Sequence, residues 1–308
     1  MSIVPVDVPM SAGLCERTIR RLTETYPALR ERVITTTAFG RPVQVLTIGE
    51  GDRQVILSAA HHANEWITAT VLLKFAEDLA RAGTEGGNIW GVPAETILKY
   101  ATVHMFPMVD PDGVDLVTGE VTEEAQQQAR RISARFPSIP FPDGWKANLL
   151  GVDLNLQYPA GWLEAREIKF AQGFTRPAPR DYVGRAPLDQ RESRALAEYT
   201  EETDPALVLA LHTQGEAIYW QFRDYRVPGA KALAEEFARV SGYRVEDTPY
   251  ESAFAGYKDW FIRRWQRPGF TIECGKGTNP LPLSQFDDIY RDVLGILVTA
   301  VTGLPEGK

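Results

Sequence analysis

Cysteine is nearly absent: the 308 residues contain two, Cys15 and Cys274, far apart in the chain. That excludes a disulfide framework and a cysteine-rich metal site. Long apolar runs are lacking as well, and the longest, Val293 to Val301, is too short to cross a bilayer. The N-terminus, Met1-Ser2-Ile3-Val4-Pro5-Val6-Asp7, has no basic start followed by an apolar core. It does not read as a signal peptide, and the expected location is the cytoplasm. Positive charge is not in excess either. The net charge is −8 with both signs interspersed, which argues against a nucleic-acid partner and against anionic membranes. Nothing in the pattern speaks to oligomeric state.

What is present is an ordinary globular composition, 44% hydrophobic and 24% charged, in which helical and strand patterns alternate from end to end. Helices are predicted over Glu16 to Tyr26, Ile67 to Ala82, Glu123 to Phe136, Arg191 to Glu202, Ala230 to Val240 and Ser284 to Val301. Strands are predicted over Val43 to Ile48, Val55 to Ser58, Thr102 to Met108, Ala206 to Leu211 and Gly269 to Glu273. Asp110-Pro111-Asp112-Gly113 reads as a turn, and Pro137 to Asp143 and Tyr158 to Pro187 read as loops. No repeat or long polar linker divides the chain. The prediction is one α/β domain over residues 1–308, an α/β/α arrangement with a mixed, mostly parallel central sheet.

Histidine is scarce, four residues in all, and two of them fall where strands end. His62 and Glu65 follow the apolar run Val55-Ile56-Leu57-Ser58, and their spacing lets both face one point as a strand turns into a helix. That is what a zinc ion asks of two protein ligands. Taken alone, the pair equally suits a helix start carrying an acid for its dipole. His212 closes Leu207-Val208-Leu209-Ala210-Leu211, and Glu273 closes Gly269-Phe270-Thr271-Ile272. Sites in open α/β sheets form at the C-terminal ends of strands. Two histidines and one glutamate leave zinc an open position for water, and a second glutamate beside that water can take its proton. His62, Glu65, His212 and Glu273 therefore form a complete set for metal-assisted amide hydrolysis. His61 reads as a neighbour of that set at best, and His104 as core.

His62-Ala63-Asn64-Glu65-Trp66-Ile67, Asp110-Pro111-Asp112-Gly113, Gly151-Val152-Asp153-Leu154-Asn155, His212 and Thr271-Ile272-Glu273 occur in the order seen in zinc carboxypeptidases. The resemblance runs from about Gly40 to Glu273. The strings around His61, Trp145-Lys146-Ala147-Asn148 and Glu273-Cys274-Gly275-Lys276 look closest to the γ-D-glutamyl-meso-diaminopimelate peptidase I branch, which cuts bacterial cell-wall peptides. The resemblance implies one zinc ion held by His62, Glu65 and His212, with Glu273 as general base and then acid. It implies Asp153 as the carboxylate that orients the first zinc histidine, and Lys146 as the cation on the oxyanion. It further implies Asn155 on the substrate's terminal carboxylate and, across an alignment gap, Tyr250 over the substrate.

One departure carries information. The family's asparagine is ordinarily followed by an arginine that clamps the substrate's α-carboxylate, and here Asn155 is followed by Leu156, a leucine that cannot hold an anion. A small cell-wall peptide is therefore the expected substrate, chosen by its γ-linked D-glutamate or its diamino acid. Diaminopimelate brings two carboxylates and an ammonium, for which Lys258 and Asp259 are candidate partners, although surface charges at those positions would equally be solvated. The rivals are a carboxypeptidase for ordinary peptides, an N-acyl amino acid deacylase on the same zinc site, and a non-catalytic zinc-dependent binding module. Glu273 argues against the last, since a binding module has no need of a general base.

Overall fold

The computed structural model describes residues 2–303. Eight strands form one sheet: β1 (Arg30–Thr36), β2 (Pro42–Ile48), β3 (Arg53–Ser58), β4 (Ala101–Phe106), β5 (Leu207–His212), β6 (Ala217–Tyr219), β7 (Arg244–Glu246) and β8 (Gly269–Glu273). Their spatial order is β1-β2-β4-β3-β5-β8-β6-β7. The four middle strands, β4-β3-β5-β8, run parallel. β1 and β2 join one side antiparallel, and β6 pairs antiparallel with β8 on the other. The sheet is thus mixed, with its parallel part in the interior, where helices can cover both faces.

Alternation along the middle strands explains that placement. Val55 and Leu57 of β3, Leu207, Leu209 and Leu211 of β5, and Phe270 and Ile272 of β8 all join one buried cluster. Helices α1 (Ala12–Thr25), α2 (Ile67–Glu85), α3 (Ala94–Tyr100), α8 (Ala230–Ser241) and α10 (Phe286–Thr302) contribute to the same cluster, while α5 (Glu123–Ser133) packs into a smaller one. The alternate residues, Ile56, Val208 and Ala210, join a second cluster with α6 (Trp162–Ala171), α7 (Arg191–Thr203) and α9 (Tyr257–Trp265). A strand buried on both faces needs apolar residues at consecutive positions, which is why these strands are unbroken apolar runs. Among the described residues no helix is long and apolar enough to cross a membrane.

Two sequence expectations need correction. Asp110-Pro111-Asp112-Gly113 does not close a strand as an isolated turn; it opens helix α4 (Pro111–Thr118). Asp110 is the N-cap, its Oδ1 accepting from Gly113 N at 3.0 Å, and Pro111 takes the first helical position. The same residue types serve turns and helix starts, so local composition could not separate the two. The stretch from Tyr158 to Pro187 is likewise not all loop, because α6 lies inside it. Its apolar residues Trp162, Ala165 and Ile168 are fenced by Gly161 and Gly173 and by prolines on either side, which hid the short helical period.

Candidate metal centre and active site

Sheet order places three chemically loaded strand ends side by side: β3, β5 and β8 are consecutive neighbours. His212 and Glu273 are direct register partners on the parallel pair β5 and β8, so their side chains leave the same face. The chain beyond β3 turns over at Ala60 and makes a single helical turn, Ala63–Glu65, before α2 begins. Thr68 fixes this turn, accepting from Ala60 N at 2.9 Å and donating to Glu65 O at 2.7 Å. Glu65 N donates back to His62 O at 3.1 Å. His62 and Glu65 thereby point together at His212.

The ligating atoms converge. His62 Nδ1 lies 2.9 Å from Glu65 Oε1, His212 Nδ1 lies 3.0 Å from Glu65 Oε2, and the two Nδ1 atoms are 3.3 Å apart. Two nitrogens bound about 2.0–2.1 Å from a tetrahedral zinc would stand roughly 3.3–3.4 Å from each other. The donor set therefore fits that ion on spacing as well as on chemistry, and one ligand atom from each of His62, Glu65 and His212 lies within 4.8 Å of the others. On the far side of the His62 ring, Nε2 faces Asp153 Oδ1 at 3.2 Å. A carboxylate at Nε2 holds the proton there and leaves the Nδ1 lone pair for a metal.

Electrostatics separates the two glutamates. Burial would raise the Glu65 carboxyl, but Lys146, whose Nζ lies 2.9 Å from Oε1, and the two histidines hold it well below the usual range. For Asp153 burial is likewise overcome, here by His62 and Lys146, and its carboxyl is also held low. Glu273 goes the other way. Desolvation and the negative charge of Glu65 push it up to about 8, against the pull of Lys146 and His62. A carboxyl poised near neutral pH is matched to moving a proton in both directions.

Glu273 stands where two cavities meet. A narrow one, about 200 Å³, has His62, Asp153, Asn155, Leu156, Lys258 and Asp259 on its wall. A wider one, about 660 Å³, runs along Asn64, Pro140, Gly144, Thr213 and Asn279. Lys146, Arg180, Tyr219 and Glu273 border both. Most sequence-predicted residues are thus brought together: His62, Glu65, His212, Asp153, Lys146, Asn155, Leu156 and Glu273. Asn155 is oriented by accepting from Tyr257 N through Oδ1 at 3.0 Å.

Lys258 and Asp259 are not solvated surface charges. Both are buried in the first turn of α9, where Lys258 Nζ contacts Asp259 Oδ1 and donates to Gln221 O at 2.8 Å. Asp259 Oδ2 also accepts from Gly256 N at 3.3 Å and so caps the helix. Tyr250, by contrast, is not brought to the cleft: it is 68% exposed and its ring packs edge-on against Phe254 at 5.3 Å. It sits in a one-turn helix after Pro249 that carries Pro249 and Ser252, rather than Tyr250, onto the cavity wall. His104 is core, bonded to Tyr199 and Gln54 at 2.8 Å each. His61 is fully buried, stacked on His212 with ring centres 5.5 Å apart.

Lys169, Arg180 and Asp181 also border the narrow cavity. Sequence reasoning missed them because they lie in a proline-rich segment with no motif to single them out.

Residues 15–294 match the model of the zinc carboxypeptidase family. The chain is 42% identical over 285 residues to gamma-D-glutamyl-L-diamino acid endopeptidase 1 of Lysinibacillus sphaericus, an alignment covering 92% of this chain and 70% of that protein. It is 36% identical over 290 residues to protein YqgT of Bacillus subtilis (strain 168), covering 93% and 75% respectively. Among solved structures, carboxypeptidase A from Helicoverpa armigera has the same fold, with a TM-score of 0.74 at 17% identity, over 98% of this chain and 76% of that one. The chain belongs to the zinc carboxypeptidase family; it is a zinc metallopeptidase whose cofactor is one zinc ion.

Proposed function

We propose that this zinc metallopeptidase hydrolyses the amide between γ-linked D-glutamate and a diamino acid, meso-diaminopimelate, in bacterial cell-wall peptides. The observation that carries the reading is the charge pattern of the narrow cavity. Each of its cations faces a carboxylate: Lys258 with Asp259, Lys169 and Arg180 with Asp181, and Lys146 with Glu65. Beside Asn155, where a lone cation would clamp an ordinary C-terminus, stands Leu156. A wall of paired charges suits a leaving group that is itself zwitterionic, as the second centre of diaminopimelate is. The 42% identical relative, named for a γ-D-glutamyl-L-diamino acid bond, supports the same substrate class.

In this reading His62, Glu65 and His212 hold the zinc, and Asp153 fixes the His62 tautomer. The metal, when bound, supplies Lewis acidity to a water and to the scissile carbonyl. Glu273 takes the proton of the attacking water onto its carboxylate and delivers it to the departing amine nitrogen. Lys146, between Glu65 and the open cleft, places its ammonium where negative charge grows on the carbonyl oxygen. As a point charge it does this without the two-pronged geometry of an arginine. Asn155, Leu156 and the Lys258–Asp259 pair receive the leaving diamino acid in the narrow cavity, and the acyl part extends into the wider one.

Mass spectrometry of the zinc-loaded protein tests this with two peptides. One is L-Ala-γ-D-Glu-meso-diaminopimelate, and the other is α-linked with a free C-terminal carboxylate. Release of diaminopimelate from the first alone is expected. Cleavage of the second alone would make the protein a general carboxypeptidase and overturn the γ-linked assignment.

A further inference from the structure

Arg180 is a half-exposed cation at the junction of the two cavities, and its surroundings hold it in place from three directions. The carbonyl before it, Pro179 O, accepts from both Lys146 N and Ala147 N, at 2.8 and 2.9 Å. The residue after it, Asp181, adopts a left-handed backbone (φ 65°) and donates its own N–H to Asp153 Oδ2 at 3.2 Å. The Asp181 carboxylate then bridges two cations: Oδ1 lies 2.7 Å from the buried Lys169 ammonium, and Oδ2 accepts from Arg180 Nε at 2.7 Å. The backbone on either side of Arg180 is therefore pinned to the oxyanion lysine and to the carboxylate behind His62. A non-glycine residue in the left-handed region is sparsely populated and persists only where surrounding bonds over-determine it.

Asp181 occupies only the Nε edge of the guanidinium. Among the described residues the two terminal nitrogens have no hydrogen-bond partner, and the side chain borders both cavities. A rigid fork with two free donors is matched to a carboxylate. We infer that Arg180 is a specificity-determining residue that binds the free α-carboxylate of the acyl-side γ-linked glutamate. This rests on the γ-linked reading above and adds how the acyl side of that substrate is recognised.

The chemistry of the substrate places that carboxylate near the junction. In a γ-linked glutamate the α-carboxylate is four carbon–carbon bonds from the scissile carbonyl, a reach of about 5 Å when extended, at roughly 1.5 Å per bond. In an α-linked residue the α-carbonyl is itself the scissile group, so no α-carboxylate remains, and only an acidic side chain can offer a carboxylate at that distance. A cation beside Lys146 and Glu273, but on the acyl side, therefore favours a γ-linked glutamate over α-linked residues without an acidic side chain, and does so without contacting the diamino acid. The narrow cavity reads the leaving group, and Arg180 reads the acyl-side carboxylate.

The test pairs two peptides with two variants of the zinc-loaded enzyme. The peptides are L-Ala-γ-D-Glu-meso-diaminopimelate and the same molecule with its glutamate α-carboxylate converted to a carboxamide. Wild type is expected to prefer the free acid by roughly ten- to hundredfold in kcat/KM, the worth of one charged hydrogen-bonded pair. Arg180→Gln should lose that factor on the acid, mainly through KM, and change little on the amide, so that the ratio approaches one. Arg180→Lys should recover part of it. Zinc content and Tm of each variant, held at wild-type values, exclude a folding defect. An equal loss on both peptides, or no loss on either, overturns the assignment of Arg180 while leaving the γ-linked reading standing. Failure of wild type to cleave either peptide removes both.

Discussion

Five carboxylates, none more than 4% exposed, lie in two neighbouring regions of this molecule and are shifted in opposite directions from their ordinary titration range. Glu65 and Asp153 stand in the metal centre and are held ionised, well below the ordinary range. Asp110, Asp112 and Glu192 stand where the N-terminus of α4 meets that of α7, and all three are raised. Burial acts on both sets in the same direction, since leaving water penalises the charged form. Neighbours decide the outcome. The metal centre gathers Lys146, His62 and His212 around Glu65. In the other region burial is reinforced mainly by the carboxylates themselves: Glu192 acts on Asp110, and Asp112 acts on Glu192. Asp110 Oδ2 there has no hydrogen-bond partner among the described residues. A buried carboxylate is thus a metal-site candidate only when cations or donors converge on it. Glu273, raised to about 8 yet beside Lys146, shares features of both regions, as a base that must hold and release a proton requires.

Three changes would break or sharpen that contrast. The largest effect is expected from Glu273→Gln, which removes the intermediate carboxylate without touching a metal ligand. Turnover should fall by about 10³-fold or more, in line with loss of a general base, while zinc remains bound at one equivalent by atomic absorption. Turnover close to wild type would take Glu273 out of the mechanism. Next comes Lys146→Met, which takes the cation away from the ionised region. A loss of about 10²-fold in kcat with little change in KM is expected, the pattern of an interaction made mostly in the transition state. A purely KM effect would make Lys146 a substrate-binding residue instead.

The smallest effect concerns stability. Glu192 titrates near 4.5 as an ordinary carboxyl and at about 7 in the fold, driven by burial and then by Asp112. Between those values the folded chain holds a proton that the unfolded chain has released. Stability therefore falls as pH rises from about 4.5 to about 7, and the loss is complete above 7, on the order of 3 kcal/mol. Glu192→Gln should accordingly raise Tm at pH 8 and leave it nearly unchanged at pH 4. An equal shift at both values would show that packing, and not the charge, is responsible.

Much of the site was legible because its residues sit at the ends of strands that advertise themselves. Apolar runs such as Leu207 to Leu211 identify a doubly buried strand, and whatever polar residue closes one is conspicuous. That is how His212 and Glu273 were found without knowledge of their pairing. The polar edge strand β1, with Arg30, Glu31 and Arg32 exposed, has no apolar face to betray it and went unread. Lys258 and Asp259 looked like surface charges because nothing in the local sequence shows that α9 begins on a cavity wall. Arg180 and Lys169 carry no local signal at all: their significance lies in Asp181 joining them, which is a matter of contact.

The sequence by itself determined the ligand types, the strands that present them and the loss of a clamping cation at Leu156, because each is written in residue identity or in short-range periodicity. Only the tertiary structure decided which strand ends adjoin. It also decided that Glu273 faces His212 across one parallel pair, that two cavities share Lys146 and Glu273, and which buried acids are driven below and which above their ordinary range. Those properties depend on distances between residues tens to hundreds of positions apart. Sequence periodicity carries no information about such distances until the sheet order and the burial it creates are fixed.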